Sequence, residues 1–338
     1  MKNNWKGKNG PMLIAEIGGN HEGDFEYAKK LAQLAIESGA DYVKFQIYTG
    51  DGLVSKVESP VRNEHFKKFE LTQSQHIELA QMCRNSGVGY TASVWNFDAL
   101  EWINPYMDFF KVGSGDLTAY PMLRELAKFE KPILISTGLA NENEVIESVE
   151  FLRSQNSFYK SKENIAVLQC TSMYPIKSSD ANLRVMHRFK EILNCTIGYS
   201  DHTEGSYAME IAVAMGAEVL EFHFTDDRKG KTFRDHKVSL TKNEVQELIE
   251  KINTIENLKG SDQKVVLPIE LENGHELSFR RAVYPSKEIK KGEKLTEDNL
   301  TILRPLHGID AREYDLLIGR KVNQDLAPFQ KLSWKYID

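Results

Sequence analysis

The sequence has few of the features that mark disulfide-rich proteins. Only three cysteines, Cys83, Cys170 and Cys195, occur among 338 residues, and no two of them form a C-x-x-C pair. Their number is odd and their spacing is wide, so we expect neither a disulfide framework nor a thiolate zinc site. We expect reduced, buried thiols instead.

Long apolar runs and an excess of basic charge are also missing. No apolar run approaches the roughly 20 residues of a membrane-spanning helix, and the apolar stretch after the basic "MKNNWKGKNG" is too short for a secretory signal. Acidic residues outnumber basic ones by 49 to 43, which gives a formal net charge of −6. We therefore expect a cytoplasmic protein without a membrane or nucleic-acid partner.

Short apolar segments alternate with amphipathic helical patterns along the first 260 residues. Helix starts are indicated by Asp24, by Asn141 with Glu144, and by the capping boxes "TQSQ" (72–75) and "TKNE" (241–244). Eight such units predict a (β/α)8 TIM barrel over residues 1–260. An open doubly wound sheet is the alternative, but no G-x-G-x-x-G motif follows the first strand. The predicted strands span 12–19, 42–48, 89–95, 109–115, 132–138, 165–171, 196–201 and 219–225.

The pattern changes after Gly260. Residues 261–280 contain no long helical pattern, and we interpret them as a linker. The pattern of residues 281–338 predicts a small α+β domain, with short strands and a helix start at "LTEDNL" (295–300). Such a domain is near the lower size limit for independent folding.

Polar residues alternate with apolar ones inside several of the predicted barrel strands. In "VLEFHFT" (219–225), Glu221 and His223 lie on one face, and "YVKFQIY" (42–48) places Lys44 in the same way. Charged side chains inside a barrel are costly unless they are paired or functional, and barrel active sites lie at the C-terminal strand ends. The polar residues at or near such ends are Glu16, Lys44, Ser93, Lys111, Ser114, Ser136, Ser200, His202 and His223.

Two histidines belong to the adjacent seventh and eighth strands. His202 and His223 are either packed core or capping residues, or two ligands of a divalent cation that keeps open positions for a substrate. The nearby lysines and serines would together satisfy a phosphate. This arrangement predicts a small, anionic, phosphorylated substrate that is handled with a metal.

Several runs resemble the sialic acid synthase family, which includes the legionaminic and pseudaminic acid synthases. The resemblance rests on "LIAEIGGNHEGD", "YVKFQ", "FKVGSGD", "PILISTG", "LQCTSMYP", "IGYSDHT" and "EFHFT". The tail "KEIKKGEKLTEDNLTILRP" resembles the antifreeze-like (SAF) domain that follows the barrel in that family. The match covers nearly the whole chain, in order.

The resemblance implies a condensation of phosphoenolpyruvate with an N-acyl-mannosamine-type sugar. The products would be a nine-carbon 2-keto acid and phosphate, formed with C–O bond cleavage. In this interpretation His202 and His223 bind Mn²⁺ or Mg²⁺, which polarises the sugar aldehyde. Residues that match the phosphoenolpyruvate-binding positions are Lys44, Ser93, Lys111, Ser114 and Ser136.

The remaining matched positions are on the sugar side or take part in the chemistry. Glu16 and Asp116 match catalytic carboxylates. Arg304 in "LRP" of the tail matches an arginine that reaches the partner's active site and contacts the N-acyl group, in a homodimer whose SAF domains cap the opposite barrels. The sugar-side positions are Ser172, Tyr174, Ser200, Asp235 and Arg304.

The chain departs from the family pattern at three places that concern the sugar. Asp116 stands where many bacterial members have Glu, and Ser172 stands where the neuraminate enzymes commonly have Asn. The loop "DDRKGKTFRDHK" (226–237) is richer in Lys and Arg than expected. We expect this loop to be solvated, with selection of a more anionic sugar as the alternative.

Two other functions are compatible with parts of this pattern. A Schiff-base aldolase would use Lys44 or Lys111 as nucleophile, without metal and without phosphate release. A non-catalytic carbohydrate-binding protein would use the tail domain, but then the charged residues inside the barrel strands would have no purpose.

Overall fold

A computed structural model describes residues 4–338. The described chain divides into two compact units, with the boundary between Gly260 and Ser261. Among the residues of these two units, no helix combines the length and the apolar character needed to cross a membrane.

The first unit is a closed barrel of eight parallel strands, so the prediction of a TIM barrel is confirmed. Each strand pairs with the next along the chain, and β2 pairs with β9 to close the barrel. A short strand, β1 (Lys6–Gly7), pairs antiparallel with β2. The barrel strands are β2 (Gly10–Glu16), β3 (Tyr42–Ile47), β4 (Gly89–Val94), β5 (Phe110–Val112), β6 (Ile133–Ser136), β7 (Ile165–Cys170), β8 (Thr196–Asp201) and β9 (Val219–His223).

Helices follow the barrel strands, and the helix starts predicted within residues 1–260 are confirmed. The Asp24 carboxylate accepts from the Tyr27 amide at 3.0 Å, and capping boxes begin α4, α7 and α10 where predicted. Two helices between β3 and α4 were not predicted. The helices of the barrel unit are α1 (Phe25–Glu37), α2 (Gly50–Leu53), α3 (Pro60–Phe69), α4 (Gln73–Asn85), α5 (Phe97–Ile103), α6 (Tyr120–Ala127), α7 (Glu142–Gln155), α8 (Val185–Ile192), α9 (Tyr207–Ala214) and α10 (Lys242–Lys259).

The barrel lumen has an apolar half and a polar half. Met12, Ile14, Leu134 and Leu168 form a buried cluster together with Trp5, near the N-terminal ends of the strands. Side chains alternate in direction along a strand, so Glu16 faces the same way as Met12 and Ile14 but lies at the other end of β2. The polar set is thereby confined to the C-terminal half of the lumen.

The second unit has a core of its own. Strand β10 (Ala282–Pro285) pairs antiparallel with β11 (Leu300–Leu303), and the helix α13 (Tyr314–Leu317) follows. Val283, Leu295 and Val322 are fully buried in a common cluster. The segment interpreted as a linker contains two short helices, α11 (Pro268–Glu272) and α12 (His275–Phe279).

The helix start predicted at "LTEDNL" is wrong. The Asn299 side chain accepts from the Thr296 amide at 2.8 Å and closes a turn instead. The chain then enters β11 at Leu300. The residues that follow the cap-like signal, "LTIL", include the β-branched Thr301 and Ile302, which favour a strand over a helix.

Candidate active site

A cavity of about 840 Å³ opens at the C-terminal ends of the barrel strands. This volume is typical of a site for a small molecule, and the position is the one where barrel enzymes carry their active sites. Arg304 belongs to the second unit, and its place at the site stays a prediction. The predicted residues that line the cavity are Glu16, Lys44, Ser93, Lys111, Ser114, Asp116, Ser136, Ser172, Tyr174, Ser200, His202, His223 and Asp235.

The floor of the cavity consists of two lysines, two glutamates and a serine: Glu16, Lys44, Lys111, Ser136 and Glu221. The Lys44 ammonium lies 2.7 Å from a Glu16 carboxylate oxygen and 3.9 Å from Glu221 Oε1. The Lys111 ammonium lies 3.6 Å from the same Glu221 oxygen and donates to Ser136 Oγ at 2.6 Å. Glu221 therefore links the two lysines.

The charges of the floor are almost completely removed from water. Its four charged residues are at most 6% exposed. Burial lowers the pKa of Lys111, and the Glu221 carboxylate only partly offsets this effect. Burial alone would raise the pKa of Glu221, but Lys111 and Lys44, together with His223 and His202, outweigh it and the pKa is lowered. The lysines and Glu221 stabilise one another's charges, as buried ions must.

Serine hydroxyls surround this charged floor. Ser200 Oγ donates to Glu221 Oε1 at 3.3 Å, and Ser114 Oγ accepts from the Gly138 amide at 3.0 Å. A Cβ on Gly138 would lie 2.5 Å from Ser172 Oγ and 2.8 Å from Ser114 Oγ. The absence of a side chain at Gly138 thus allows the two serines to approach each other. Ser93 of β4 is in register with Lys111 of β5.

The predicted histidine pair lies beside the floor. The rings of His202 and His223 are 5.4 Å apart, and both residues are at most 5% exposed. His202 Nδ1 is 2.7 Å from the Thr171 carbonyl oxygen. Because a carbonyl can only accept, Nδ1 carries a proton, and in the neutral ring the lone pair of His202 is on Nε2. Burial lowers the pKa of His202, but Cys170, the Thr171 carbonyl and Asp201 outweigh this effect and raise it. Burial holds the pKa of His223 well below its usual range, so this imidazole is neutral.

The histidine pair offers two candidate metal ligands. His223 Nδ1 is buried without a hydrogen-bond partner and lies 3.8 Å from Asp235 Oδ2. Within residues 4–338, no three side chains of His, Cys, Asp or Glu come together as a metal-binding group. Two adjacent, buried imidazoles, one of which has an unpartnered ring nitrogen, fit a weakly held divalent ion whose other ligands come from a substrate.

The other predicted sugar-side and catalytic residues each have a defined partner. Asp116 accepts from the Trp95 indole N–H at 2.6 Å, and burial raises the pKa of this carboxyl even though the hydrogen bond opposes it. The Tyr174 ring is 4.0 Å from that of His202. Asp235 accepts from Arg234 Nε at 2.8 Å, and the Arg234 guanidinium lies 4.3 Å above the Tyr174 ring.

The mouth of the cavity is formed by helix α3, by the loop before it and by part of the loop after β9. The Phe233 ring lies 5.1 Å from that of Phe69 and 6.2 Å from that of His65. The loop 226–237 is largely exposed, as expected, but Asp235 and His236 are buried, and residues 232–235 line the cavity. The mouth residues are Leu53, Val54, Arg62, His65, Phe66, Phe69, Phe233 and Arg234.

Sequence reasoning missed Glu221 and most of the mouth as parts of the site. A signal for Glu221 exists, because it precedes His223 by two positions and therefore shares its face of β9. The mouth has no comparable signal, since its aromatic residues come from a short helix and a loop that are far apart in the chain.

Comparison with known proteins agrees with this geometry. The NeuB family model matches residues 31–264, and the SAF domain model matches residues 280–335. An N,N'-diacetyllegionaminic acid synthase of Campylobacter jejuni is 34% identical over 322 residues, which cover 91% of this chain and 95% of that protein. The human N-acetylneuraminate-9-phosphate synthase is 34% identical over 333 residues, with 94% and 90% covered.

A solved structure shows the same likeness. The N-acetylneuraminic acid (sialic acid) synthetase of Leptospira borgpetersenii, in complex with citrate, superposes with a TM-score of 0.72 and 26% identity. The superposition covers 79% of this chain and 91% of that one. Since the family model spans more than half of the chain and the relatives match nearly its full length, the chain belongs to the NeuB family.

Proposed function

We propose that this protein is a synthase that condenses phosphoenolpyruvate with an N-acyl amino sugar to a nine-carbon 2-keto acid and phosphate. One observation carries the proposal: a buried two-lysine floor and a pair of buried, adjacent imidazoles share one cavity. The names of the relatives support it, because they are acid synthases of this sugar class.

Phosphoenolpyruvate fits the floor by charge and by hydrogen bonding. Its phosphate and carboxylate are both anionic, and Lys44 and Lys111 are the buried cations of the cavity floor. The two ammonium groups attract an anion even though Glu16 and Glu221 already lie beside them, and burial keeps water from screening this attraction. The hydroxyls that complete this anion site are those of Ser93, Ser114 and Ser136.

The reaction balances with these substrates and water. C3 of the enol forms a bond to the aldehyde carbon of the open-chain sugar, and the carbonyl electron pair moves to oxygen, which takes up a proton. Water adds to C2, and the resulting tetrahedral intermediate collapses to the ketone. The C2–O bond breaks and phosphate leaves with the bridging oxygen.

His202 and His223 would hold the divalent cation that this chemistry uses, Mn²⁺ or Mg²⁺. When bound, the cation supplies Lewis-acid polarisation of the sugar carbonyl. The buried imidazoles, one with its Nδ1 proton fixed by the Thr171 carbonyl, fit that role.

The carboxylates of the cavity handle the protons. Burial raises the pKa of Glu16, while Lys44 and Gln46 oppose the shift. A carboxyl group whose pKa is raised toward neutrality exchanges protons efficiently at physiological pH. Glu16 and Asp116 are therefore the groups that we assign to proton transfer to the alkoxide and from the attacking water.

The second unit completes the site in this proposal. We assign it to capping the barrel of a second copy in a homodimer, with Arg304 contacting the N-acyl group of the sugar. The match to the SAF domain supports this assignment. Sedimentation of the full chain tests it: a monomer at the concentrations used for the activity assay would contradict it.

Phosphate release tests the proposed reaction. The full chain is incubated with phosphoenolpyruvate and a panel of N-acyl amino sugars, with Mn²⁺ or with EDTA. We expect phosphate release that depends on both the sugar and the cation. Trapping of a lysine adduct with borohydride, together with turnover that survives EDTA, would instead identify a Schiff-base aldolase that uses Lys44 or Lys111.

A further inference from the structure

The mouth of the cavity differs in chemistry from its floor and presents mainly aromatic surface. The His65 and Phe69 rings are 4.6 Å apart on one side of α3, and Phe233 packs on both from the loop after β9. The Phe66 ring packs edge-on against Tyr48 at 5.3 Å. An acceptor whose aldehyde end lies near the histidines would extend its far end toward this surface.

Gly19 allows the close approach of Phe233. A Cβ at this position would lie 2.9 Å from the tip of the Phe233 ring. The ring is therefore held between the β2–α1 loop and α3. This placement gives the mouth a built apolar wall.

Most cations near the mouth already have partners. In the loop after β9, Arg228 pairs with Glu244, and Lys231 lies 3.7 Å from Asp226. Arg234 pairs with Asp235 at 2.8 Å and stacks on Tyr174. Of the five Lys and Arg residues of this loop, Arg228, Lys231 and Arg234 are thus paired with carboxylates. Lys229 and Lys237 form no ion pair with the described residues, and neither lines the cavity.

Arg62 is the remaining cation of the mouth. Its guanidinium lies 5.6 Å from the centre of the Phe66 ring, and no carboxylate of the described chain is within ion-pair distance of it. A phosphate monoester carries nearly two negative charges and is usually held by several donors. One exposed arginine beside an aromatic wall is a poor match for such a group, whereas acyl and deoxy methyl groups gain by contact with the wall.

We propose that the mouth selects acceptor sugars whose far end carries apolar substituents, an acylamino or a deoxy methyl group, over phosphorylated sugars. The inference rests on the proposed function and specifies its acceptor. The relatives do not decide the matter, because proteins of equal identity are named for a phosphorylated and for an unphosphorylated product. Phe233, Phe69 and Arg62 are the residues that carry the choice.

Acceptor competition tests this proposal on the full chain. The three probes are an N-acyl mannosamine, its 6-phosphate and a trideoxy diacetamido hexose. We expect kcat/KM to be highest for the trideoxy sugar and lowest for the 6-phosphate, with steps of about tenfold, the size that small changes in a hydrophobic pocket produce. A preference for the 6-phosphate would overturn the proposal.

Variants of the wall give a sharper result. Phe233→Ala should lower kcat/KM for the trideoxy sugar about tenfold, with less than about a twofold change for the 6-phosphate and an unchanged KM for phosphoenolpyruvate. Phe97→Ala, which removes a half-exposed ring from outside the cavity lining, is the matched control. Equal losses for all three sugars would contradict a selective wall.

Two further measurements keep the test decisive. If Phe233→Ala fails to fold, Phe233→Leu and Arg62→Gln replace it, and Arg62→Gln should weaken only the 6-phosphate. Binding of the three sugars is also measured by calorimetry without turnover. Absence of phosphate release with every sugar would refute the proposed function, while the order of binding would still confirm or refute the selectivity of the mouth.

Discussion

The floor and the mouth of the cavity differ in charge and in exposure to solvent, although both belong to the same barrel. The floor holds charges away from water, and each of its lysines lies within 4 Å of a carboxylate oxygen. The mouth presents aromatic rings to the opening of the cavity. The rings of Phe233 and Phe69 are 5.1 Å apart and inclined to each other by 38°. The floor therefore suits a small polyanion, and the mouth suits a neutral, partly apolar partner.

The two regions also differ in how they are supported. The floor residues Lys44, Lys111 and Glu221 lie on hydrogen-bonded barrel strands, which fix their positions. The mouth residues lie on a short helix and a loop. We infer that the floor determines which reaction occurs, while the mouth determines which acceptor takes part.

Loss of either histidine should have the largest effect. His202→Ala and His223→Ala should each abolish condensation while leaving the fold intact, since both side chains line the cavity. Phosphate release measures the activity, and circular dichroism verifies the fold. Full activity in either variant would refute the assignment of both histidines to the metal.

Removal of the floor's bridging charge should affect stability and phosphoenolpyruvate binding together. Glu221→Gln leaves two buried lysines with one carboxylate, and breaking a buried pair costs about 3–5 kcal/mol. We expect a lower Tm for the unliganded protein and a larger rise in Tm on adding phosphoenolpyruvate than in the wild type, because the negative charges of the ligand replace the lost carboxylate.

The control for this variant is Glu250→Gln, a change on the exposed side of α10. It should leave Tm and the effect of phosphoenolpyruvate unaltered. An unchanged Tm in Glu221→Gln would show that the lysines do not depend on this carboxylate.

Changes in the second unit should act on the sugar alone. Arg304→Ala should raise KM for the acceptor about tenfold or more, as loss of a charge-assisted hydrogen bond does, and should leave KM for phosphoenolpyruvate unaltered. Deletion of residues 281–338 should act in the same direction. Arg312→Ala, an exposed arginine paired with Asp310, is the control. Equal losses for both substrates would argue against the capping role.

The smallest effect is expected at the contact between Trp95 and Asp116. Trp95→Phe removes the indole donor at 2.6 Å. A hydrogen bond to a carboxylate favours its ionised form, so its loss should raise the pKa of Asp116 further and move the acidic limb of the rate profile to higher pH. We expect kcat to fall about tenfold.

Trp334→Phe is a matched control, because it removes an indole hydrogen bond to Glu313 in the second unit. Its pH profile should coincide with that of the wild type. A profile of Trp95→Phe that is also unshifted would exclude Asp116 from the titration that limits the rate.

The placement of site residues on strands could be predicted from the sequence, while the placement of site residues on short helices and loops could not. Alternation along β3 and β9 placed Lys44 and His223 in the lumen, since side-chain direction follows strand geometry, and a position near the end of a strand singled out Glu16. The same rule applies to Glu221. The helix α3 could not be predicted, because its sequence "PVRNEHFKKF" has few apolar residues and they form no clear stripe.

Contacts between distant loops also leave no local signal. The packing of Phe233 on Phe69 joins residues more than 160 positions apart and depends on Gly19 being free of a side chain. The family resemblance likewise indicated the chemistry of the floor but left the choice of sugar open.

The fate of the bridging oxygen of phosphoenolpyruvate tests the central claim most directly. The full chain is supplied with phosphoenolpyruvate carrying ¹⁸O between C2 and phosphorus, together with the preferred acceptor and Mn²⁺. The account predicts that the label leaves with inorganic phosphate, because the C2–O bond breaks. Label retained in the keto acid, or product formed without phosphate release, would contradict it.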